Sequence, residues 1–196
     1  MTPDKEGLPS DRPSEEEEAD TITRETSVAE AMGQVDIPVC VVNEDNDLLV
    51  TAESMASCRG AQTIAVVDDQ GRLAGVIPMR LLVAELYLRV APEEFLLGMR
   101  AFENIEEFGK ISRAQTAGEL MQPPVYVTAQ DSARDAFVKM HETDLVGLPV
   151  VDEEMRVIGY LDRLQLMRLW LDKHRKWAEG RPGHGHRGQA STEGSV

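Results

Sequence analysis

An internal repeat constrains this chain more than any other feature. Residues 63–77 align without a gap with residues 147–161. The identical positions are Val66, Val67, Asp68, Arg72 and Gly75 in the first copy and Val150, Val151, Asp152, Arg156 and Gly159 in the second. Each copy contains a β-branched run, a polar turn and a second apolar run, which is typical of a β-hairpin. The sequence therefore predicts two equivalent copies, each of which packs against its neighbour.

A helix is predicted upstream of each hairpin. In the second copy Ser132 and Asp135 have the spacing of an N-cap and its partner three residues later, and Asp47 is the candidate cap in the first copy. The apolar residues that follow at helical spacing are Ala133, Ala136, Phe137 and Met140 in the second copy and Leu48, Ala52 and Met55 in the first. The helices and the hairpins of the two copies both align if the spacing between helix and hairpin differs by one residue.

Further helices are predicted at both ends of each copy. Capping boxes at residues 27–30 and 116–119 predict short helices that lead to Met32 and Met121. The offset between these two helices differs by about five residues from the offset between the two hairpins. The apolar-rich segments after the hairpins, Met79–Val90 and Arg163–Lys173, have a helical pattern in which Pro78 suits the first turn and Asp162 the N-cap. The fold class is therefore α/β (α+β), with two β-α-β-β-α repeats that each follow a short helix.

Composition shifts divide the chain into five parts. Residues 1–25 are acidic and are predicted to be a disordered tail, and the Gly-rich residues 178–196 to be a flexible one. Repeat 1 occupies residues 26–90 and repeat 2 residues 115–177. Between them, residues 91–114 are predicted to form one amphipathic helix, with apolar spacing at Phe95, Met99, Phe102, Ile105 and Phe108.

The charge and composition exclude several classes of function. A net charge of −15 and an aromatic content of 5% argue against nucleic acid as a partner. Two cysteines do not make a disulfide framework, and they have no metal-ligand spacing. No signal peptide and no membrane-spanning run are found, so we expect a soluble cytoplasmic protein. No nucleophile with a base, no paired carboxylates and no metal ligands are found either, so we expect neither an enzyme nor a metal site.

The chain resembles the CBS-domain family, named after cystathionine β-synthase. The segments that carry the resemblance are residues 119–121, 125–127, 136–140, 148–152 and 157–161 in the second copy and residues 30–32, 65–68 and 73–77 in the first. The resemblance implies a pseudo-twofold pair of copies, a Bateman module. It also implies clefts that bind AMP, ADP, ATP or S-adenosylmethionine as regulatory ligands, and a disc-shaped homodimer.

The chain departs from the family where the last strand of each copy ends. In nucleotide-binding members, the glycine of this strand is followed by two apolar residues, a Thr or Ser, two more residues and an Asp. Here Pro78 and Leu81 take those two polar places in the first copy, and Asp162 and Gln165 take them in the second. Pro78 and Leu81 cannot supply the family's hydrogen bonds, whereas Gln165 can reach a ribose hydroxyl.

The candidate ligand-binding residues follow from the resemblance, and several have a structural alternative. They are Pro78, Arg80, Tyr126, Thr128, Leu148, Pro149, Asp162, Arg163 and Gln165. Asp162 is better explained as a helix cap, the two arginines equally well as solvated side chains, and Tyr126, Leu148 and Pro149 by packing. The expected function is a stand-alone regulatory module that senses a small metabolite, with adenosine nucleotides as candidates, and modulates a partner protein. The alternative is a ligand-free scaffold for dimerisation.

Overall fold

The computed structural model describes residues 26–90 and 114–179. The predicted acidic tail, the Gly-rich tail beyond residue 179 and the inter-repeat helix up to residue 113 lie outside the described residues. The first copy contains α1 (Val28–Met32), β1 (Cys40–Asn43), α2 (Leu48–Ser57), β2 (Thr63–Val67), β3 (Leu73–Pro78) and α3 (Met79–Val90). The second copy contains α4 (Ala117–Leu120), β4 (Val127–Thr128), α5 (Ala133–Glu142), β5 (Gly147–Val151), β6 (Val157–Asp162) and α6 (Arg163–Glu179). The predicted fold class and element order are confirmed.

The element boundaries differ from the predictions at three places. Pro78 is the last residue of β3 rather than part of the first turn of the following helix. Helix α6 continues to Glu179, beyond the predicted end at Lys173. Ala114, which the sequence assigned to the inter-repeat helix, is buried in the core of the first copy.

Each copy forms a three-stranded sheet with the same topology. The orders are β1-β2-β3 and β4-β5-β6, with the first two strands of each sheet parallel and the last two antiparallel. Both antiparallel pairs have a register shift at the same place, between Val66 and Val67 and between Val150 and Val151. The gapless repeat therefore encodes even the irregularity of the hairpin.

The repeated aspartate of each hairpin closes its turn. Asp68 Oδ1 accepts hydrogen bonds from the backbone N–H groups of Gln70 and Arg72, both at 2.9 Å. Asp152 accepts the equivalent pair in the second copy. The hydrogen bonds to the Arg72 backbone and side chain lower the pKa of Asp68. A carboxylate that bonds the backbone two and four residues ahead explains why the Asp recurs.

The helices before the hairpins confirm the predicted caps and the one-residue slip. Asp47 Oδ1 accepts from the Leu49 N–H at 2.7 Å, and Ser132 Oγ accepts from the Asp135 N–H at 3.0 Å. Both helices have ten residues, and α5 starts one residue closer to its hairpin than α2 does to its own. The buried face of α2 contains Leu48, Thr51 and Met55, so Thr51 replaces the predicted Ala52.

The two copies exchange their opening helices. Helix α1 packs against β6, α5 and α6 of the second copy, whereas α4 packs against β1 and β3 of the first. Matching backbone hydrogen bonds fix the exchange: the Val28 N–H donates to Asp131 O at 2.8 Å, and the Ala117 N–H donates to Asn46 O at 2.9 Å. Each copy therefore completes the apolar core of the other, which makes the pair one folding unit.

Two glycines let these exchanged segments approach the sheets. A Cβ on Gly75 would lie 2.5 Å from Met121 Sδ and 2.6 Å from the backbone oxygen of Gln122. A Cβ on Gly159 would lie 2.2 Å from Met32 Cε. At Gly75 the backbone oxygen leaves no room for a Cβ, whereas at Gly159 the end of the Met32 side chain would have to move, so glycine allows the closest approach at both places.

Candidate functional site

Both sheets present the same ends to one side of the molecule. The hairpin turns meet at one end, where Arg72 and Arg156 form an isolated bridge and the Leu73 N–H donates to Met155 O at 2.8 Å. The opposite end carries the starts of β2 and β5 and the ends of β3 and β6. We call this end the junction edge, and define it by Gln62, Thr63, Pro78, Arg80, Asp144, Gly147, Tyr160, Asp162 and Arg163. Four of the predicted site residues lie there: Pro78, Arg80, Asp162 and Arg163.

Asp162 and Gln165 form a reciprocal helix cap. The Gln165 N–H donates to Asp162 Oδ1, and the Asp162 N–H donates to Gln165 Oε1, both at 2.8 Å. Gln165 is 1% exposed, and its Nε2 donates to Val35 O at 2.8 Å and to Met32 O at 3.4 Å. The side-chain amide therefore clips the segment after α1 onto the second copy. The polar atoms of this amide already bond protein atoms. Its contact with a ribose hydroxyl stays a prediction.

The first copy has no such cap at the equivalent place. Pro78 is buried at the end of β3, in register with Thr63 of β2. Leu81 packs against the apolar cluster that contains Leu82 and Ile77. Neither side chain offers a hydrogen-bond donor, so this half of the junction edge is apolar at the places where the second copy is polar.

Arg80 and Asp144 connect the copies across the junction edge. Arg80 Nε lies 3.6 Å from Asp144 Oδ2, and the two side chains are 57% and 83% exposed. Asp144 has a φ of 53° in the turn that ends α5, where the Leu145 N–H donates to Met140 O at 3.0 Å. This left-handed turn at the helix end directs the carboxylate toward the first copy. An exposed ion pair of this kind contributes little to stability, so Arg80 is available to another anion.

Arg163 has a structural partner. One of its guanidinium nitrogens donates to Met140 O at 3.2 Å, and its backbone N–H donates to Val146 O at 3.1 Å. The carbonyls of the last helical turn have no partner within their helix, and Met140 O accepts from Arg163 as well as from the Leu145 N–H. Its side chain is exposed, and its contact with a ligand phosphate stays a prediction.

Tyr160 belongs to the junction edge although the sequence did not single it out. Its side chain leaves β6 and enters the apolar cluster of the first copy, where its hydroxyl accepts from the Gln62 N–H at 3.2 Å. Burial raises the pKa of the Tyr160 hydroxyl. A Cβ on Gly147 would lie 2.3 Å from this hydroxyl, so Gly147 makes room for the ring. Tyr160 therefore ties the second sheet to the start of β2.

The other four predicted residues lie on β5, on β4 or directly before β4. Thr128 pairs with Val151 at the hairpin end of β5, and its N–H donates to Asp131 Oδ2 at 2.8 Å. Tyr126 packs with Ala65 and Leu73 of the first sheet, and its carbonyl accepts from Lys139 Nζ at 2.7 Å.

Leu148 and Pro149 lie within β5. Leu148 belongs to the core of the second copy, and Pro149 is buried in register with Tyr160. Because β4 pairs only with Val150 and Val151, Pro149 takes no part in the parallel ladder, and its missing N–H costs no bond there. Packing accounts for both positions, and their contact with a ligand stays a prediction.

Two further findings concern residues 26–90 and 114–179 only. Within them no group of three or more His, Cys, Asp or Glu side chains is placed to hold a metal ion. None of their helices has the length and apolarity that crossing a membrane requires.

Comparison with known protein families identifies the second copy. Residues 117–172 match the model of the CBS domain. An uncharacterized 33.4 kDa protein in the ribosomal RNA operon of Thermofilum pendens is 28% identical over 138 residues, and the match spans 67% of this chain but only 42% of that protein. A CBS domain-containing protein of Dictyostelium discoideum is 28% identical over 128 residues, which cover 65% of this chain and 81% of the relative.

Solved structures with the same fold include CBS-domain proteins. A CBS domain-containing protein from Thermotoga maritima superimposes with a TM-score of 0.57 at 21% identity, covering 81% of this chain and 98% of that one. A CBS-domain pair in complex with 5′-methylthioadenosine and S-adenosyl-L-methionine gives 0.55 at 18% identity, covering 76% and 98%. The protein CBSX2 in complex with AMP gives 0.53 at 23% identity, covering 76% and 99%.

Proposed function

Because this chain folds as a CBS-domain pair, we propose that it is a regulatory module that binds a small metabolite at the junction edge and modulates a partner protein. Compounds that contain adenosine are the first candidates, since two structures of this fold were solved with AMP or with S-adenosyl-L-methionine and 5′-methylthioadenosine. One observation carries the proposal: Arg80 and Asp144 form an exposed ion pair that joins the two copies across the junction edge.

This ion pair is easily displaced by an anionic ligand. Exposed pairs contribute about 0–1 kcal/mol because water screens the attraction and two long side chains lose freedom. A phosphate or carboxylate presents several oxygens to a guanidinium and can bind it in a bidentate manner, which is stronger than a single contact. In a chain with a net charge of −15, a cation held this weakly is the natural attachment point for an anion.

Regulation follows from where the pair lies. Arg80 starts α3 of the first copy, and Asp144 lies in the turn that precedes β5 of the second. A ligand that takes Arg80 from Asp144 alters the connection between the copies at this edge. If it prefers one arrangement of the copies, it shifts the population toward that arrangement by its differential affinity, and a bound partner detects the change.

Thermal unfolding of the purified protein against a ligand panel tests the proposal. The panel contains AMP, ADP, ATP, S-adenosylmethionine, NAD and cyclic dinucleotides, each with and without Mg²⁺. A compound that binds the folded protein raises its stability by about 2.7 kcal/mol at a concentration of 100 Kd. We expect a concentration-dependent rise of Tm for one compound. If no compound raises Tm, the sensor function is refuted for this panel.

Two matched variants distinguish binding at Arg80 from binding elsewhere. Arg80→Ala and Asp144→Ala break the same ion pair and have the same small effect on stability. Arg80→Ala removes the cation, so we expect at least a tenfold weaker affinity for the ligand, about 1.4 kcal/mol. Asp144→Ala frees the cation, so we expect unchanged or tighter binding. Equal losses in both variants would place the ligand away from Arg80.

A ligand-free scaffold is the second candidate. The observation that favours it is that Asp162 and Gln165 bond each other and the segment after α1, which leaves these two positions of the second copy committed to structure. This scaffold would be a dimer whose state no metabolite alters. The same thermal panel, run together with light scattering, separates the two functions.

We propose a homodimer as the assembly in either case. Helices α3 and α6 present exposed apolar side chains along one stripe each: Met79, Val83 and Tyr87 on α3, and Leu164, Met167 and Leu171 on α6. Val83 and Met167 occupy equivalent places in the two copies. We expect Val83→Asp and Met167→Asp to convert a dimer to a monomer in light scattering, whereas Ile158→Asp, which lies on β6, leaves it intact. Monomeric wild-type protein would contradict the proposal.

No catalytic step is part of this proposal, because the ligand acts by binding alone. Unchanged nucleotide after prolonged incubation with the protein is the expected result, and turnover above the background would overturn it. A cytoplasmic location stays a prediction.

A further inference from the structure

The chain has two cysteines, and the fold of the first copy brings them together. Cys40 opens β1 and Cys58 caps the end of α2. The chain runs out along a four-residue strand of about 13 Å and returns along a ten-residue helix of about 15 Å. Since these two lengths nearly match, the end of the helix returns beside the start of the strand.

The two thiols are neighbours there. Cys40 belongs to the apolar cluster of the first copy, Cys58 packs against that cluster, and α2 packs on β1. Cys40 is buried, whereas Cys58 is partly exposed. Burial, together with the contact to Cys58, raises the pKa of Cys40 to about 12, so Cys40 is a protonated thiol at neutral pH. A dissolved oxidant therefore reaches the Cys58 sulfur first.

We propose that Cys40 and Cys58 form a reversible disulfide within one chain when the protein meets hydrogen peroxide. The Cys58 sulfur attacks one peroxide oxygen and the O–O bond breaks. Cys58 becomes a sulfenic acid, and its proton leaves with the released hydroxide as water. The Cys40 sulfur then attacks the Cys58 sulfur, the S–O bond breaks, and the Cys40 proton leaves with that hydroxide as a second water. Two thiols are thereby oxidised to one disulfide, and one peroxide is reduced to two waters.

The fold favours this product over further oxidation. A disulfide needs its two sulfurs about 2.05 Å apart. Cys40 and Cys58 share one apolar cluster, so rotation about their side-chain bonds is the movement that brings the sulfurs to that distance. The resolving thiol is also shielded from solvent, so it reacts with Cys58 rather than with the oxidant or another chain. The bond ties β1 to α2 inside the first copy, so the proposal does not depend on ligand binding at the junction edge.

The experiment uses the full chain, reduced and then exposed to hydrogen peroxide. We expect free thiols under denaturing conditions to fall from two to none, with an intact mass lower by about 2 Da. A thiol reductant restores both. A protease that cleaves at acidic residues cuts the chain between the cysteines, for example after Glu44 or Glu53, and the two fragments should stay linked until they are reduced.

Single-cysteine variants complete the test. In Cys58→Ser the buried Cys40 should react at least tenfold more slowly, and in Cys40→Ser the sulfenic acid at Cys58 should accumulate and be trapped by dimedone. If Cys40→Ser does not fold by circular dichroism, Cys40→Ala replaces it. Three outcomes would each overturn the proposal. They are two surviving thiols in the wild type, disulfides only between chains, and mass gains of about 16 Da per oxygen without a cross-link.

Discussion

The two copies of the repeat share one backbone but start their last helices differently. In the second copy, Asp162 and Gln165 form a polar cap that also bonds the segment after α1. In the first copy, Pro78 and Leu81 stand at the equivalent places and make only apolar contacts. The repeated hairpin therefore does not determine the chemistry at the junction edge. Helix starts offer several ways to satisfy the same backbone, so they can diverge while the fold stays constant.

A second difference lies two residues earlier in each last strand. Val76 in β3 enters the core of the second copy, whereas Tyr160 in β6 enters the core of the first. Each copy thus inserts one side chain from its last strand into the core of the other. Tyr160 is the larger of the two, and it also accepts a hydrogen bond from the Gln62 N–H. The second copy therefore contributes the larger side chain to its neighbour's core.

Gln165→Leu, which gives the second copy the residue of the first, should have the largest effect. It leaves the Asp162 N–H and the carbonyls of Met32 and Val35 without their buried partner. We expect a loss of about 3 kcal/mol in the free energy of unfolding, measured by urea denaturation. The reverse change, Leu81→Gln, is the control and should cost about 1 kcal/mol because Leu81 is only partly buried. Equal costs would contradict the asymmetry.

Alanine at the two repeated glycines should give the next largest difference in stability between the copies. At Gly75 the new methyl group meets the Gln122 backbone oxygen, which cannot move without breaking its bond to the Val76 N–H. At Gly159 it meets the flexible end of Met32. We expect Gly75→Ala to cost about 2 kcal/mol and Gly159→Ala less than about 1 kcal/mol. Chemical denaturation of both variants measures the difference, and the reverse order would refute the explanation.

The hairpin turns provide a smaller contrast. Gly71 has a φ of +76°, and a Cβ added there would meet no atom within 4 Å, whereas Met155 at the equivalent place has a φ of +64°. Gly71→Ala should therefore lose about 1 kcal/mol from backbone strain alone. Gly33→Ala is the control, because Gly33 is helical and its Cβ has room. Thermal unfolding measures both variants. An equal change of Tm in the two would show that the turn at residue 71 adjusts its backbone without strain.

The ion pair across the junction edge should have the smallest effect on stability. Each of Arg80→Ala and Asp144→Ala should lower the free energy of unfolding by less than about 1 kcal/mol, with a coupling energy below about 0.5 kcal/mol in a double-mutant cycle. A coupling above about 2 kcal/mol would make the pair a structural clamp, and a ligand could not displace it easily.

Local signals in the sequence predicted most of the fold. The caps at Asp47 and Ser132, the hairpins and the one-residue slip all depend on residues close in the chain, and the structure confirms them. The exchange of α1 and α4 was not predicted, because it rests on contacts between residues far apart in the chain. For the same reason no local pattern indicated that Gln165 bonds Val35 or that Tyr160 bonds Gln62.

The candidate site residues stay a prediction. Four of the nine lie at the junction edge, because each is the last residue of a hairpin's last strand or lies within two residues after it. The register of Thr128 with β5 could not be predicted from the sequence, since β4 has only two residues and its pairing depends on the folded sheet. Asp144, the partner of Arg80, has no signal in the sequence beyond its place after a helix.

The central claim is that a ligand binds at Arg80, where a weak and exposed contact joins the two copies. Calorimetric titration of the compound that raises Tm tests it most directly, because it reports both affinity and stoichiometry. The position equivalent to Arg80 in the second copy is Leu164, which carries no charge. We therefore predict one molecule bound per chain and a loss of at least tenfold in affinity in Arg80→Ala. Two molecules per chain, or one whose affinity survives Arg80→Ala, would contradict the account.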